Sequence, residues 1–224
     1  MRNKLFKAGI LVATLMLPVV FFVGAHFLGE NKFGLPRFGA LGLKTSNLSE
    51  GFVFQDSVYH QIDDYFFTDE DSLSFSFSSF NKKIKVVSVF SIHSDTEYAQ
   101  IISNLTRLSA VYHNQEAVGL LSISVEPEND KPSLLKKYKS LFEIDNINWK
   151  FLTTSDRLSL NSFLKNELFL GSNLDYSLTN NVFKSQTLVL IDKSNVIRGY
   201  YDGTRLEDVD DLIGAIKILQ SEYE

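Results

Sequence analysis

The sequence predicts an α/β domain carried behind a single N-terminal transmembrane helix. Three observations predict it. Residues 8–29 form a run of 22 without Asp, Glu, Lys or Arg. Beyond residue 80, short runs rich in Val, Ile and Leu alternate with stripes of helical period. Polar turn clusters then mark a hairpin at each end of the domain.

The uncharged run, AGILVATLMLPVVFFVGAHFLG, would span roughly 30 Å as a helix. Pro18 falls mid-span, which membrane helices tolerate. Arg2, Lys4 and Lys7 precede it. The positive-inside rule therefore keeps residues 1–29 as a cytoplasmic N-terminus plus anchor and sends the rest outward. The rival reading is a cleaved signal peptide, whose apolar core runs about 7–15 residues. This core is longer, and Val23-Gly24-Ala25 is a weak cleavage site. Both readings deliver the domain to the same compartment, outside the inner membrane of a bacterium. The exported part, beyond the anchor, carries 19 basic against 27 acidic residues, a net charge of −8.

Residues 30–58 hold Gly34, Gly39, Gly42, Gly51 and Pro36 with little periodicity. They read as a spacer between bilayer and domain. The domain itself is expected over 59–224. Residues 65–68 and 73–77 flank the turn cluster Asp69-Glu70-Asp71-Ser72. Leu73, Phe75 and Phe77 alternate with serines at period two, giving a hairpin with one wet face. Residues 84–90 (IKVVSVF), 118–125 (VGLLSISV) and 188–191 (LVLI) suit central strands buried on both faces.

Between the first two runs, Tyr98, Ile101, Ile102, Leu105, Leu108 and Tyr112 form one helical stripe. Ser94-Asp95-Thr96-Glu97 precedes it and matches a capping box. Pro132 suits the first turn of a second helix with the stripe Leu134, Leu135, Tyr138 and Leu141. A short strand at 149–152, with Trp149 in the core, and a helix at 158–168 come next. A hairpin over 188–201 turns at Asn195, a residue type that tolerates the left-handed conformation. Thr204-Arg205-Leu206-Glu207, a second capping box, opens the last helix. Its stripe is Leu206, Val209, Leu212, Ile213, Ile216 and Leu219. Strand–helix alternation ending in an antiparallel hairpin gives a thioredoxin-like sandwich with an N-terminal β-hairpin.

Composition removes whole classes of function. The chain of 224 residues has no Cys, and its two Met are Met1 and Met16. Disulfides, thiol catalysis and Cys-based zinc or iron–sulfur sites are excluded. The net charge of −5 argues against a nucleic-acid partner. Neither a Walker loop nor G-x-G-x-x-G is present. The letters His93-Ser94-Asp95 lack the elbow that positions a nucleophile. Residues 126–130 with Glu116 read as a solvated acidic loop. Sequons at Asn47 and Asn104 are short enough to arise by chance.

One segment is more specific. Ser124-Val125-Glu126-Pro127-Glu128-Asn129-Asp130-Lys131-Pro132, followed by Leu134-Leu135-Lys136-Lys137-Tyr138, resembles the SVDPxxDTPxxLxxY segment of the Sco/SenC copper-chaperone family. Asn148-Trp149-Lys150-Phe151-Leu152-Thr153 is similar to the family's next strand. Leu190-Ile191-Asp192, with Arg198-Gly199-Tyr200-Tyr201-Asp202-Gly203-Thr204, looks like its closing hairpin. Phe66-Phe67-Thr68-Asp69 and the anchor also fit. The resemblance covers residues 60–220.

It implies a membrane-tethered thioredoxin-like domain. Members deliver copper to cytochrome oxidase or manage thiol redox, using Cys-x-x-x-Cys and a later His. Carried onto this chain, those positions are Ser94, Tyr98 and Lys184, so all three ligands are absent. Cu(I) selects thiolate and thioether, and the exported part has no sulfur. The expectation is therefore a non-enzymatic envelope protein without copper or cofactor. It would bind a protein partner, an oxidase-assembly factor by resemblance. The alternative is a metal site built from His93 with Asp95 and Glu97. His113, about 20 residues along the same helix and so roughly 30 Å away, cannot share such an ion. His26 lies in the anchor and His60 at the edge of the spacer.

Overall fold

The computed structural model describes residues 14, 16–18, 34–47, 53–80, 83–92, 96–113, 115–170, 175–176, 183–184 and 186–223. The chain divides into two units, Met1–Gly34 and Leu35–Glu224. In the first, Thr14 and residues 16–18 are helical. The rest of the expected anchor lies outside the described residues. Among the described residues no helix is long and apolar enough to cross a membrane.

The second unit opens with an antiparallel hairpin, β1 (Ala40–Asn47) and β2 (Val53–Tyr59). The sequence reading has a structureless spacer here. The two strands lack the period-two alternation that betrays a half-buried sheet, so pairing could not be read from their pattern. After it come β3 (Phe66–Asp69), β4 (Ser74–Ser76), a 3₁₀ turn, and β5 (Ile84–Phe90). Helix α1 (Thr96–Val111), β6 (Val118–Ser124), α2 (Pro132–Leu141) and β7 (Trp149–Thr153) come next in the chain. Helix α3 (Arg157–Ser162) runs on into a π-helical turn, Phe163–Glu167. Two short strands, β8 (Asp175–Tyr176) and β9 (Phe183–Lys184), precede β10 (Thr187–Ile191), β11 (Ile197–Asp202) and α4 (Leu206–Ser221).

Seven strands form one sheet in the order β11-β10-β5-β6-β7-β3-β4. β5, β6 and β7 are parallel, while β10–β11 and β3–β4 join antiparallel at either side. This is the expected thioredoxin-like arrangement with its N-terminal hairpin β3–β4. All seven residues of β5 and all seven of β6 are buried. Alternate side chains therefore serve two cores. Ile84, Val86, Phe90, Val118, Leu120, Leu188 and Leu190 pack with α1, α4 and Leu135 of α2. Val87, Val89, Leu121, Ile123, Val189 and Ile191 pack with Phe67, Phe75, Phe77, Leu160, Phe163 and Leu164. Gly119 is needed for the second core. A Cβ there would fall 2.0 Å from the Phe80 ring.

Several local expectations hold. Pro132 stands in the first turn of α2, and Asn195 has φ of 61° at the β10–β11 turn. The whole α1 stripe is buried. Others do not hold. Leu141 and Leu206 are exposed. Thr204 does not cap α4; its hydroxyl donates to Asp202 at 2.6 Å, and Asp208 accepts from the Asp202 amide at 3.0 Å. The polar turn cluster 69–72 is partly buried. Asp69 and Glu70 are buried, with Lys139 donating to Glu70 at 2.6 Å and Lys150 to Asp69 at 3.3 Å.

Two buried cations fix the end of the sheet where β5 begins. Arg198, 2 % exposed, is held by Asp192 at 3.1 Å and Glu222 at 2.9 Å. It also donates to the carbonyls of Leu35 at 2.9 Å and Pro36 at 3.1 Å. The domain thus grips the chain from Leu35 onward. Gly39, at φ +74°, turns that segment away between His60 and Phe169, each 3.0 Å from where its Cβ would be. Lys85, fully buried, donates to Asn195 Oδ1 at 2.7 Å and lies 5.4 Å from the centre of the Phe77 ring.

Burial pushes the Lys85 ammonium down to about 8 from its ordinary 10.5, with Asp192 opposing. Above pH 8 the folded state has released this proton while the unfolded chain still binds it. Stability therefore rises with pH until the unfolded lysine also titrates. The full effect is on the order of 3 kcal/mol. Buried phenols work the other way at higher pH, since burial holds Tyr138 at about 12. The denaturation midpoint should climb between about pH 7.5 and about pH 9.5 in the native chain and stay flatter in Lys85→Met. An unchanged slope in the variant would refute this.

Candidate functional site

In open α/β sheets, ligands bind beyond the C-terminal ends of the strands. Here that end is built from residues 90–92 after β5, residues 124–131 after β6, and the first turn of α1. His93, Ser94 and Asp95 complete the loop in sequence but lie outside the described residues, as do the side chains of Thr96 and Glu97.

Tyr98 is the best-defined of the predicted positions. It is 4 % exposed and stacks on Phe90, with ring centroids 4.9 Å apart and planes at 17°. Tyr138 stacks on Phe90 from further off, at 6.0 Å, and Phe151 meets Phe90 edge-on at 5.6 Å. The position that resemblance assigns to a thiol is thus the centre of an aromatic cluster. Among the described residues the buried Tyr98 hydroxyl has no partner in full hydrogen-bond geometry. Burial raises its phenol, and the nearby Ser122 and Ser88 hydroxyls only partly offset that. Those two serines bond each other at 2.9 Å in the sheet interior, and the Trp149 indole donates to Ser122 at 3.0 Å.

Beside this cluster lies a feature the sequence reading missed. Glu126 is 8 % exposed and Asp130 fully buried, which corrects the expected solvated loop. Ser91 bonds Glu126, and Asn129 donates to its other oxygen at 3.1 Å. Ser124 donates to Asp130 at 2.6 Å, as does the Ile92 amide at 3.3 Å. These bonds tie the ends of β5 and β6 together. Within 126–130 only Glu128 and Asn129 are exposed, and Glu128 pairs with Arg157 of α3. That ion pair draws the Glu128 carboxyl down to about 2. Acidic residue type argued for solvent. The interleaved serines and the bracketing Pro127 and Pro132 were the available signal for an ordered loop.

Lys184 lies on β9, paired with Asp175 of β8; its side chain is outside the described residues. The remaining histidines do not converge on the site. His60 bonds Glu167 at 2.9 Å, and His113 lies beyond the other end of α1, 3.8 Å from Asp145. A cleft of about 400 Å³ adjoins His113, Ser109 and Trp149, away from the loop at 126–131. Among the described residues no group of three or more His, Asp or Glu could hold a metal ion. Asn104 of the second sequon is buried and donates to the Gly203 carbonyl at 2.8 Å.

No family model matches the chain. A protein described as a SCO1 homologue, from Bacillus subtilis strain 168, is 22% identical over 169 residues, spanning 75% of this chain and 86% of the relative. The crystal structure of a SCO1/SenC family lipoprotein from Bacillus anthracis superposes with a TM-score of 0.63 at 23% identity, covering 71% of this chain and 95% of the other. The chain is similar to the Sco/SenC proteins. Arabidopsis thaliana ScoI, solved with copper bound, shares the same fold at a TM-score of 0.57 and 16% identity, over 72% of this chain and 99% of its own. Set against Sco/SenC proteins, this chain is a variant without any cysteine.

The aromatic filling of the site makes a prediction. Because the buried Tyr98 hydroxyl has no partner in full hydrogen-bond geometry among the described residues, Tyr98→Phe should change stability by no more than about 1 kcal/mol, or raise it. Tyr98→Ala should cost about 3–5 kcal/mol through the cavity it leaves. Urea denaturation of both variants checks this. A Phe variant as unstable as the Ala variant would show that the hydroxyl has a role the packing does not explain.

Proposed function

We propose that the chain is a membrane-anchored member of the Sco/SenC type that has lost copper and thiol chemistry. In this reading it serves as a non-catalytic binding protein in the bacterial envelope, with its domain on the periplasmic side of the inner membrane. One observation carries the reading. Tyr98, at the position matched to a ligating thiol, is buried and stacked on Phe90. Cu(I) needs soft sulfur ligands, and the only sulfur atoms in the chain belong to Met1 and Met16. Copper belongs to relatives such as the Arabidopsis protein; the donor set of this chain does not fit it.

The uncharged run at 8–29 behind three basic residues supports the anchor and its orientation. The kept segment at 124–138 supports retention of the family's surface after loss of its chemistry. The partner is then an envelope protein, an oxidase-assembly factor in the family's setting. Cross-linking in intact cells, followed by capture of the tagged full-length chain from solubilised membranes, tests this. An envelope protein enriched over an unrelated single-span control is expected. Recovery of the bait alone would contradict the role.

A further inference from the structure

The cleft of about 400 Å³ beside Trp149 lies at the other end of the parallel strands from residues 124–131, where β7 begins. Its walls come from the last turns of α1, the loop that follows α2, and Trp149 itself. All of its lining residues belong to the Leu35–Glu224 unit. Its volume falls in the lower part of the roughly 300–1,000 Å³ of small-molecule sites.

The lining is one-sided in charge. Glu143 and Asp145 supply two carboxylates, and among the described residues no Lys or Arg lines the cleft. His113 stands 3.8 Å from Asp145. Helix α1 ends here with no basic residue in its last turn, and α2 ends here with Lys139 alone. Lys139 is engaged by Glu70 and the Trp149 carbonyl, both at 2.6 Å. Of the other nearby cations, Arg107 pairs with Asp210 and Lys83 donates to Asn148. Each helix C-terminus carries partial negative charge, which adds to that of the carboxylates. The cleft therefore favours a cation.

A second observation is independent of that charge. Ser109 lines the cleft and is 5 % exposed. Its hydroxyl accepts from Asn146 Nδ2 at 2.8 Å, and among the described residues it donates to no acceptor. Thr106, also in the lining, donates its hydroxyl hydrogen to the Ile102 carbonyl at 2.8 Å, which leaves its oxygen able to accept. Residues three apart share one helix face. One donor and one acceptor thus stand together on α1, the pair that a ligand hydroxyl completes. Ala110 and Ile144 add apolar surface.

We propose that this cleft binds a small hydroxylated amine of monosaccharide size. The ammonium faces Glu143 and Asp145, a hydroxyl bonds Thr106 and Ser109, and the carbon skeleton packs on Ala110 and Ile144. The site is separate from the loop at 124–131 and stands whether or not that loop meets a partner.

Trp149 is the only tryptophan in the chain, so its emission reports from the cleft wall. Glucosamine is titrated into the full-length protein in detergent, at a pH below the ordinary amine range. A saturable change in Trp149 emission is expected. Glucose keeps the hydroxyls without the ammonium and should bind about tenfold more weakly or not at all, the loss expected for a charge-assisted bond. Glucosamine should lose as much on Glu143→Gln combined with Asp145→Asn. Both carboxylates are on exposed residues and both changes keep the side-chain shape, so the thermal midpoint should stay at that of the native chain. Thr106→Val should weaken binding several-fold through the lost hydroxyl. Absence of a saturable response to glucosamine, an equal response to glucose, or undiminished affinity in either variant would each overturn the site.

Discussion

The structure depends on the burial of β5 and β6 on both faces. No residue in either strand reaches solvent, so each face needs its own cover. Helices α1 and α4 supply one cover. The N-terminal hairpin β3–β4 and the α3–π turn supply the other. Apolar area removed from water on both sides stabilises these strands at about 25 cal/mol per Å². It also confines chemistry to the strand ends, since a polar group inside must find its partner there. Ser88 and Ser122 do so with each other, and Lys85 does so with Asn195.

The same constraint shapes the end of β5. A residue in the first turn of α1 points at the end of β5, where Phe90 waits. A thiol there would be small and could face a metal. Tyrosine fills the space with a ring, and Phe90, Tyr138 and Phe151 close around it. The carboxylates of Glu126 and Asp130, meanwhile, are taken up by Ser91, Ser124, Asn129 and the Ile92 amide. The loop at 124–131 is therefore held in shape by its own polar network. In the proposed reading, this ordered loop is the surface that meets a partner.

Periodicity made the central fold legible. The α1 stripe, the three apolar strand runs, Pro132 and Asn195 each carry their signal within a few residues, and each is where the sequence puts it. What could not be read are contacts between distant charges. Arg198 meets Leu35 from 163 positions away, and Lys139 meets Glu70 from 69. Charge alone says solvent, and only the folded chain shows the partner. The hairpin β1–β2 escaped for a related reason, because its strands carry no alternation to read. At the site, resemblance pointed to Tyr98, and the structure supplied its stacking on Phe90. Glu126 and Asp130 needed the fold before their burial was visible.

Copper(I) affinity is the most direct measure of the central claim. The full-length protein in detergent can be titrated against a coloured Cu(I) chelator of submicromolar affinity under reducing conditions. With no cysteine in the chain and Tyr98 packed on Phe90, the chelator is expected to keep all of the metal. Withdrawal of one equivalent of copper by the protein would contradict the loss of copper chemistry.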